Sequence, residues 1–261
     1  MTEKKKEKLK IGLHGVSGCA GCLLTFIYED VFKELTELVD VVSFPLIKEE
    51  SYKGRFDYVF IEGTVCFDED IITLDKLRKR ADKVVALGAC ACLGGVPSMK
   101  NFLDKEKVMK FVYPKYNHLK AEDPTPIDRH IKVDHYVPQC PPDKKELLEF
   151  VKKIATGQKF HNYTNPVCLE CRNKHNLCLL EDDELCLGPI TAGGCDALCP
   201  SNKVACYGCR GPCKQSSIQA FLDLMKEKGY NEQQVHDKMR IFAGLQFKEQ
   251  EEETKSTWLE E

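Results

Sequence analysis

The sequence has no apolar run approaching the roughly 18 residues that a membrane-spanning helix needs. It has no apolar core near its start of the kind an export signal carries, and no twin-arginine pair. It also lacks a Walker loop, a GxGxxG turn and an HExxH helix, so neither a nucleotide cradle nor a two-histidine zinc site is expected. Its histidines (His14, His118, His130, His135, His161, His175 and His236) follow no ligand spacing and read as surface or core residues. Basic charge is not in excess: 38 Lys and Arg stand against 41 Asp and Glu, for a net charge of −3, which argues against a nucleic-acid surface. What remains is a globular composition, 43% hydrophobic over 261 residues, long enough for one large domain or two smaller ones.

Cysteine is the residue in excess. Fifteen cysteines are far more than packing requires. Such a load means either disulfides in a secreted chain or metal ligands in a reducing compartment. The opening MTEKKKEKLK is charged and runs straight into a strand-like segment, so a cytoplasmic location with reduced, metal-binding thiols is expected. Cys19, Cys22, Cys66, Cys90, Cys92 and Cys140 are scattered over the first 160 residues, whereas nine cysteines crowd between Cys168 and Cys213. That density leaves little room for an apolar core, and inorganic centres are expected to organise the segment.

The first 160 residues read as α/β. Strands are predicted at Leu9–Gly15, Val41–Leu46, Tyr58–Ile61, Val84–Leu87 and Tyr136–Val137. Helices are predicted within Thr25–Leu38, at Asp70–Ala81, and after Pro142 over Lys144–Ile154. This alternation predicts a flavodoxin-like, doubly wound parallel sheet. Cys19 and Cys22, Cys66, Cys90 and Cys92, and Cys140 then each follow the carboxyl end of a strand. Ligands gather along that edge of open α/β sheets.

In SGCAGC, Cys19 and Cys22 are spaced as Cys-x-x-Cys beside Gly18 and Gly21, glycines that let the backbone curl round an inorganic core. Alone, the spacing is open to zinc, a redox disulfide or iron–sulfur. Cys90 lies in ALGACACLGGVP and Cys140 in VPQCPP, where prolines fix the backbone. The later run contains Cys168, Cys171, Cys178 and Cys186, then Cys195, Cys199, Cys206, Cys209 and Cys213. Eight of these nine suffice for two four-thiolate centres, and their spacing leaves zinc and iron–sulfur both open.

The Cys-x-x-Cys start, Glu62-Gly63-Thr64, the GACAxxGG loop, the CPP segment, CLGPITAGGC and CYGC together resemble the small subunit of nickel–iron hydrogenases. The resemblance runs in order over roughly residues 9–213. It implies a proximal [4Fe–4S] cluster on Cys19, Cys22, Cys90 and Cys140, next to the active site of a large subunit. It further implies a distal cluster on Cys168, Cys171, Cys178 and Cys186, and a medial one on Cys195, Cys199, Cys206 and Cys209. Periplasmic members have histidine where Cys168 stands, and often proline where Cys199 stands together with a three-iron centre. Cysteine at both positions implies three [4Fe–4S] clusters here. No catalytic residue is expected on this chain.

The implied partners are a nickel–iron large subunit and a flavin- or iron–sulfur-carrying subunit serving NAD(P), ferredoxin, coenzyme F420 or sulfur. The alternative is an iron–sulfur subunit of a complex-I-like oxidoreductase; those relatives open their cluster motif with two adjacent cysteines and lack the C-terminal run. Gln139 departs from the family's glycine, which would strain the loop if that position needs positive φ. Cys66 is an alternative ligand or a neighbour of the cluster, Cys92 a structural thiol and Cys213 a spare. The expected layout is a flavodoxin-like domain at 1–160, a small irregular, ferredoxin-like two-cluster domain with helices at 161–245, and an acidic mobile tail at 246–261 containing Trp258.

Overall fold

Strands buried on both faces set the architecture. The computed structural model describes residues 8–48, 52–113, 115 and 122–257. Its elements are β1 (Leu9–Gly15), α1 (Gly21–Leu24), α2 (Glu29–Leu38), β2 (Val39–Ser43), β3 (Phe56–Glu62), α3 (Asp68–Arg80), β4 (Ala81–Leu87), α4 (Gly88–Leu93), α5 (Lys105–Val112), β5 (His135–Val137), α6 (Lys144–Ala155), α7 (Val167–Asn173), α8 (Leu198–Ser201), α9 (Ile218–Glu227) and α10 (Glu232–Thr257). The strands form one parallel sheet in the order β2-β1-β3-β4-β5, the doubly wound arrangement expected from the sequence.

The alternation of strand side chains divides the core into two layers. Ile11, Leu13, Phe60, Val85 and Leu87 point to one face, where they pack with Val31 and Leu35 of α2 and Leu147, Phe150 and Val151 of α6. Val59, Ile61, Val84 and Ala86 point to the other, against Leu74 and Leu77 of α3. α6 starts just after Pro142 because the Asp143 carboxylate accepts from the Lys145 and Glu146 N–H groups at 2.9 and 3.1 Å. Two expectations shift. The helix expected across Thr25–Leu38 is broken at Tyr28, whose ψ is 135, and α2 restarts on Glu29 and Asp30, acids that suit a helix N-terminus. β2 lies earlier than expected because the chain turns at Phe44, whose carbonyl accepts from Ile47 and Lys48.

The second core layer continues into the cysteine-dense segment. Val167, Leu187, Ile190, Ile218, Phe221, Met225, Val235, Met239 and Phe247 belong to the same apolar cluster as Leu74 and Val84, so the boundary expected at 160 does not separate two cores. The acidic stretch expected as a tail from residue 246 lies largely in α10, which runs on to Thr257. Phe247 is 1% exposed, and the Gln250 amide donates to the Cys213 and Ser216 carbonyls at 3.2 and 3.1 Å. α10 bends at Ala243 (φ −136), which lets His236 and Glu251 approach to 3.2 Å. Trp258, His118 and most of the Lys4–Lys10 arm lie outside the described residues. Among the described residues no helix is long and apolar enough to cross a membrane.

Phe60 is fully buried and makes edge-to-face contacts with Phe26 and Phe150 at 5.4 and 5.7 Å. Phe60→Ala is therefore expected to cost ~3–5 kcal/mol, read as a lower urea midpoint with an unchanged m-value.

Candidate metal centres

The sheet delivers four thiols to one edge. Cys19 and Cys22 follow β1, Cys90 sits in α4 after β4, and Cys140 follows β5. Strand order reverses beside β1, so a crevice opens there. Glu62, the last residue of β3 and 3% exposed, grips the first loop: its carboxylate accepts from the Ala20 N–H at 2.8 Å and the Cys22 N–H at 3.1 Å. Asp70 grips the loop's start, accepting from the Ser17 backbone and hydroxyl at 3.1 and 2.7 Å and from the Cys66 N–H at 2.9 Å. Gly88, at φ +83, carries the β4–α4 junction over the Cys22 sulfur; a Cβ there would lie 2.2 Å from it. The Ala89 N–H donates to the Gln139 carbonyl at 2.9 Å, which ties the Cys90 and Cys140 loops together.

The four thiols act on one another. Burial pushes the Cys22 thiol far up, and the Glu62 carboxylate and the Cys140, Cys90 and Cys19 sulfurs add to the rise. Burial, then Cys140 and Cys19, raise Cys90 to about 12. Gln139 has φ 93, so glutamine occupies a left-handed position that favours glycine. Cys19 and Cys140 are exposed, and Leu24, Ile27, Tyr28 and Phe32, in the segment that follows Cys22, leave apolar surface uncovered.

In the C-terminal segment, burial raises Cys168 to about 12, with repulsion from Cys186, Cys171 and Cys178 adding to it. Gly188 sits between two of these sulfurs: a Cβ there would lie 3.2 Å from Cys168 Sγ and 3.5 Å from Cys186 Sγ. Burial, then Cys195 and Cys199 among the raising charges, bring Cys209 to about 12, while burial raises Cys206 with Cys186 and Cys209 close by. Cys195, Cys199, Cys206 and Cys209 line one cavity of about 390 Å³, which Cys140 also borders. Cys186 stands at the joint between the two later sets, accepting the Cys206 N–H at 3.2 Å.

The three surplus cysteines sit elsewhere. Cys66 lies beside Asp70 and Ser17. The Cys92 thiol turns back to the Ala86 carbonyl at 3.4 Å. Cys213, 1% exposed, donates to the Thr164 carbonyl at 3.0 Å.

Donor chemistry fits a metal–sulfide core. Buried thiols held protonated by burial and mutual repulsion release their protons when a cationic core arrives. Spacing bears on which core. Four thiolates round one zinc ion stand roughly 3.8 Å apart for Zn–S bonds of about 2.3 Å. Among the described residues, the group of three ligand atoms lying within 4.8 Å of one another is Glu232, His236 and Glu251, which contains no cysteine.

Sequence reasoning missed several residues that hold these sets. Glu170, between Cys168 and Cys171, accepts from the Gly194 and Ala197 N–H groups at 2.5 and 3.1 Å and so clamps the Cys195 loop from the neighbouring set. Arg210, directly after Cys209, is 5% exposed and pairs with Glu146 at 2.6 Å. The sequence signal was placement alone, a charge inside or directly after a Cys-x-x-Cys turn; the groups each one grips lie 24 and 64 residues away.

The sequence pattern of the NADH ubiquinone oxidoreductase 20 kDa subunit family matches residues 19–154. The chain is 32% identical to sulfhydrogenase 2 subunit delta of Pyrococcus furiosus, over 90% of this chain and 99% of that protein. It is 28% identical to a subunit of the F420-non-reducing hydrogenase of Methanocaldococcus jannaschii, over 80% of this chain and 83% of that protein. Among solved structures, an NAD+-reducing nickel–iron hydrogenase in its H2-reduced state superposes with a TM-score of 0.50 at 30% identity, over 59% of this chain and 95% of that one.

Because a Cβ at position 88 would lie 2.2 Å from the Cys22 sulfur, Gly88→Ala is expected to lower the bound iron per chain. Gly157→Ala, at φ +74 with nothing within 4 Å, is the backbone-strain control and is expected to retain its iron; iron assay per chain decides.

Proposed function

The chain belongs to the NADH ubiquinone oxidoreductase 20 kDa subunit family, and from that premise we propose that it is the electron-transfer small subunit of a nickel–iron hydrogenase, with the hydrogen-activating site on a large subunit. The observation that carries this reading is the succession of thiol sets, each joined to the next. Cys19, Cys22, Cys90 and Cys140 meet the second set through the bond from the Gln139 N–H to the Cys209 carbonyl, 3.2 Å. That set, Cys195, Cys199, Cys206 and Cys209, meets Cys168, Cys171, Cys178 and Cys186 through Glu170. Each set would hold one [4Fe–4S] cluster, three in all, and such clusters accept and pass on single electrons.

The chain's own residues do three things in this scheme. Cys thiols give up their protons to become ligands. Glu62 and Glu170 fix the loops that carry them, and the buried walls of Leu187, Ile190 and Val167 keep water away. The ends differ as a relay's ends must. Cys19 and Cys140 are exposed, and the segment after Cys22 exposes Leu24, Ile27, Tyr28 and Phe32, the kind of surface a permanent partner covers. At the other end, Cys178 is exposed next to Leu177, which is 81% exposed, a site for a flavin- or iron–sulfur-carrying partner. Fifteen cysteines without a disulfide suit a reducing, cytoplasmic compartment. The relatives include a sulfhydrogenase, an F420-non-reducing hydrogenase and an NAD-reducing hydrogenase, and the acceptor here belongs to that range.

Metal analysis of the purified complex tests the proposal. About twelve iron and twelve acid-labile sulfides per chain are expected, with nickel in the accompanying large subunit. Stoichiometric zinc in place of iron would exclude the relay. Iron without nickel would instead indicate an electron-transfer subunit of a complex-I-like oxidoreductase.

A further inference from the structure

One buried cation closes the seam between two of the thiol sets. Arg210 directly follows Cys209, and its guanidinium makes four hydrogen bonds. Nη1 and Nη2 donate to the Glu146 carboxylate at 2.6 and 2.7 Å, Nη1 reaches the Gln139 side-chain oxygen at 3.3 Å, and Nε donates to the Gly193 carbonyl at 2.5 Å. The pair is sealed from water, with side-chain exposures of 2% for Arg210 and 4% for Glu146. One group thus joins α6, the residue before Cys140 and the turn two residues before Cys195. Arg210 also borders the cavity lined by Cys195, Cys199, Cys206 and Cys209.

The charges within the pair are not equidistant from that cavity. Arg210 is among its wall residues, whereas Glu146 lies on α6 and reaches the site through the guanidinium. A guanidinium stays charged at every accessible pH. The cavity therefore faces the positive end of a fixed dipole in a low-dielectric setting, where such a charge acts strongly. A positive charge beside a redox centre stabilises the reduced, more negative form.

Resting on the function proposed above, we infer that Arg210 is a positioning residue: it locks the Cys140 and Cys209 loops in one register and holds the medial centre's reduction potential up. Gln139 shares in this. Its side chain, at a position that favours glycine, supplies one of the acceptors that orient the guanidinium.

The test is an EPR-monitored redox titration of the purified complex, with the medial signal identified as the one altered in Cys199→Ser. Arg210→Met combined with Glu146→Met removes both charges and leaves no unpaired buried ion, a replacement that cores accept. The double variant is expected to keep its full iron content while its medial potential moves lower and the distal potential stays in place. Arg210→Lys keeps the charge and is expected to hold the medial potential near that of the wild type. A double variant with full iron and an unmoved medial potential would overturn the inference, as would an Arg210→Lys variant with full iron whose medial potential falls well below that of the wild type. Wild-type complex without iron would overturn the proposed function itself, a result distinct from either.

Discussion

Four thiolates brought together out of water repel one another, and that repulsion governs how this chain is built. Each anion loses hydration and gains like-charged neighbours, so every set is unfavourable until a cationic core offsets it. The rise of Cys22, Cys90, Cys168 and Cys209 above the ordinary thiol range records that cost. A site of this kind cannot be held by its ligands alone. The surrounding backbone must be fixed by something else before the core is present.

Buried carboxylates supply that fixation. Glu62 accepts two N–H groups from the loop of Cys19 and Cys22, and Glu170 accepts two from the loop of Cys195. Placing further anions beside thiolates looks counterproductive, and Glu62 does raise Cys22. The compensation is geometric. A carboxylate takes both N–H groups of a tight turn at once, and charge-assisted bonds of this kind are about twice as strong as neutral ones. Gln139 shows the same trade in backbone terms. Its left-handed φ costs about 1–3 kcal/mol, and its bond to the Arg210 guanidinium contributes about 1.5–3 kcal/mol, so the two are close to balance.

Strands and thiol groupings were legible in the sequence because both announce themselves locally. A buried parallel strand is a short apolar run, and Val84–Leu87 or Tyr58–Ile61 can hardly be anything else between polar turns. Cys-x-x-Cys spacing is equally local, and the order of motifs carried the family resemblance. The clamps were not legible, because each joins residues distant in sequence: Glu62 to Ala20, Glu170 to Gly194, Arg210 to Glu146. Nothing in a lone Glu or Arg tells whether it faces water or a backbone N–H group forty residues away. The acidic stretch after residue 246 misled for a related reason. Its charge reads as solvated, yet Phe247 within it is core, and one aromatic on the inner face of a charged helix is enough to dock it.

That docking bears on the relay more than a tail's position would suggest. Had the chain folded as two bodies joined at residue 160, the spacing between the first thiol set and the others would have varied with inter-domain motion, since small interfaces within a chain leave such motion free. The apolar cluster running from Leu74 and Val84 to Met239 and Phe247 removes that freedom. Phe247 closes the arrangement at short range: a Cβ on Gly208, between Cys206 and Cys209, would lie 3.2 Å from the Phe247 ring. The turn that carries Cys206 and Cys209 is therefore shaped on one side by α10 and held on the other by Arg210. Distance between the thiol sets is fixed here by hydrophobic packing that runs from the sheet into α10, and the bent helix is part of that frame.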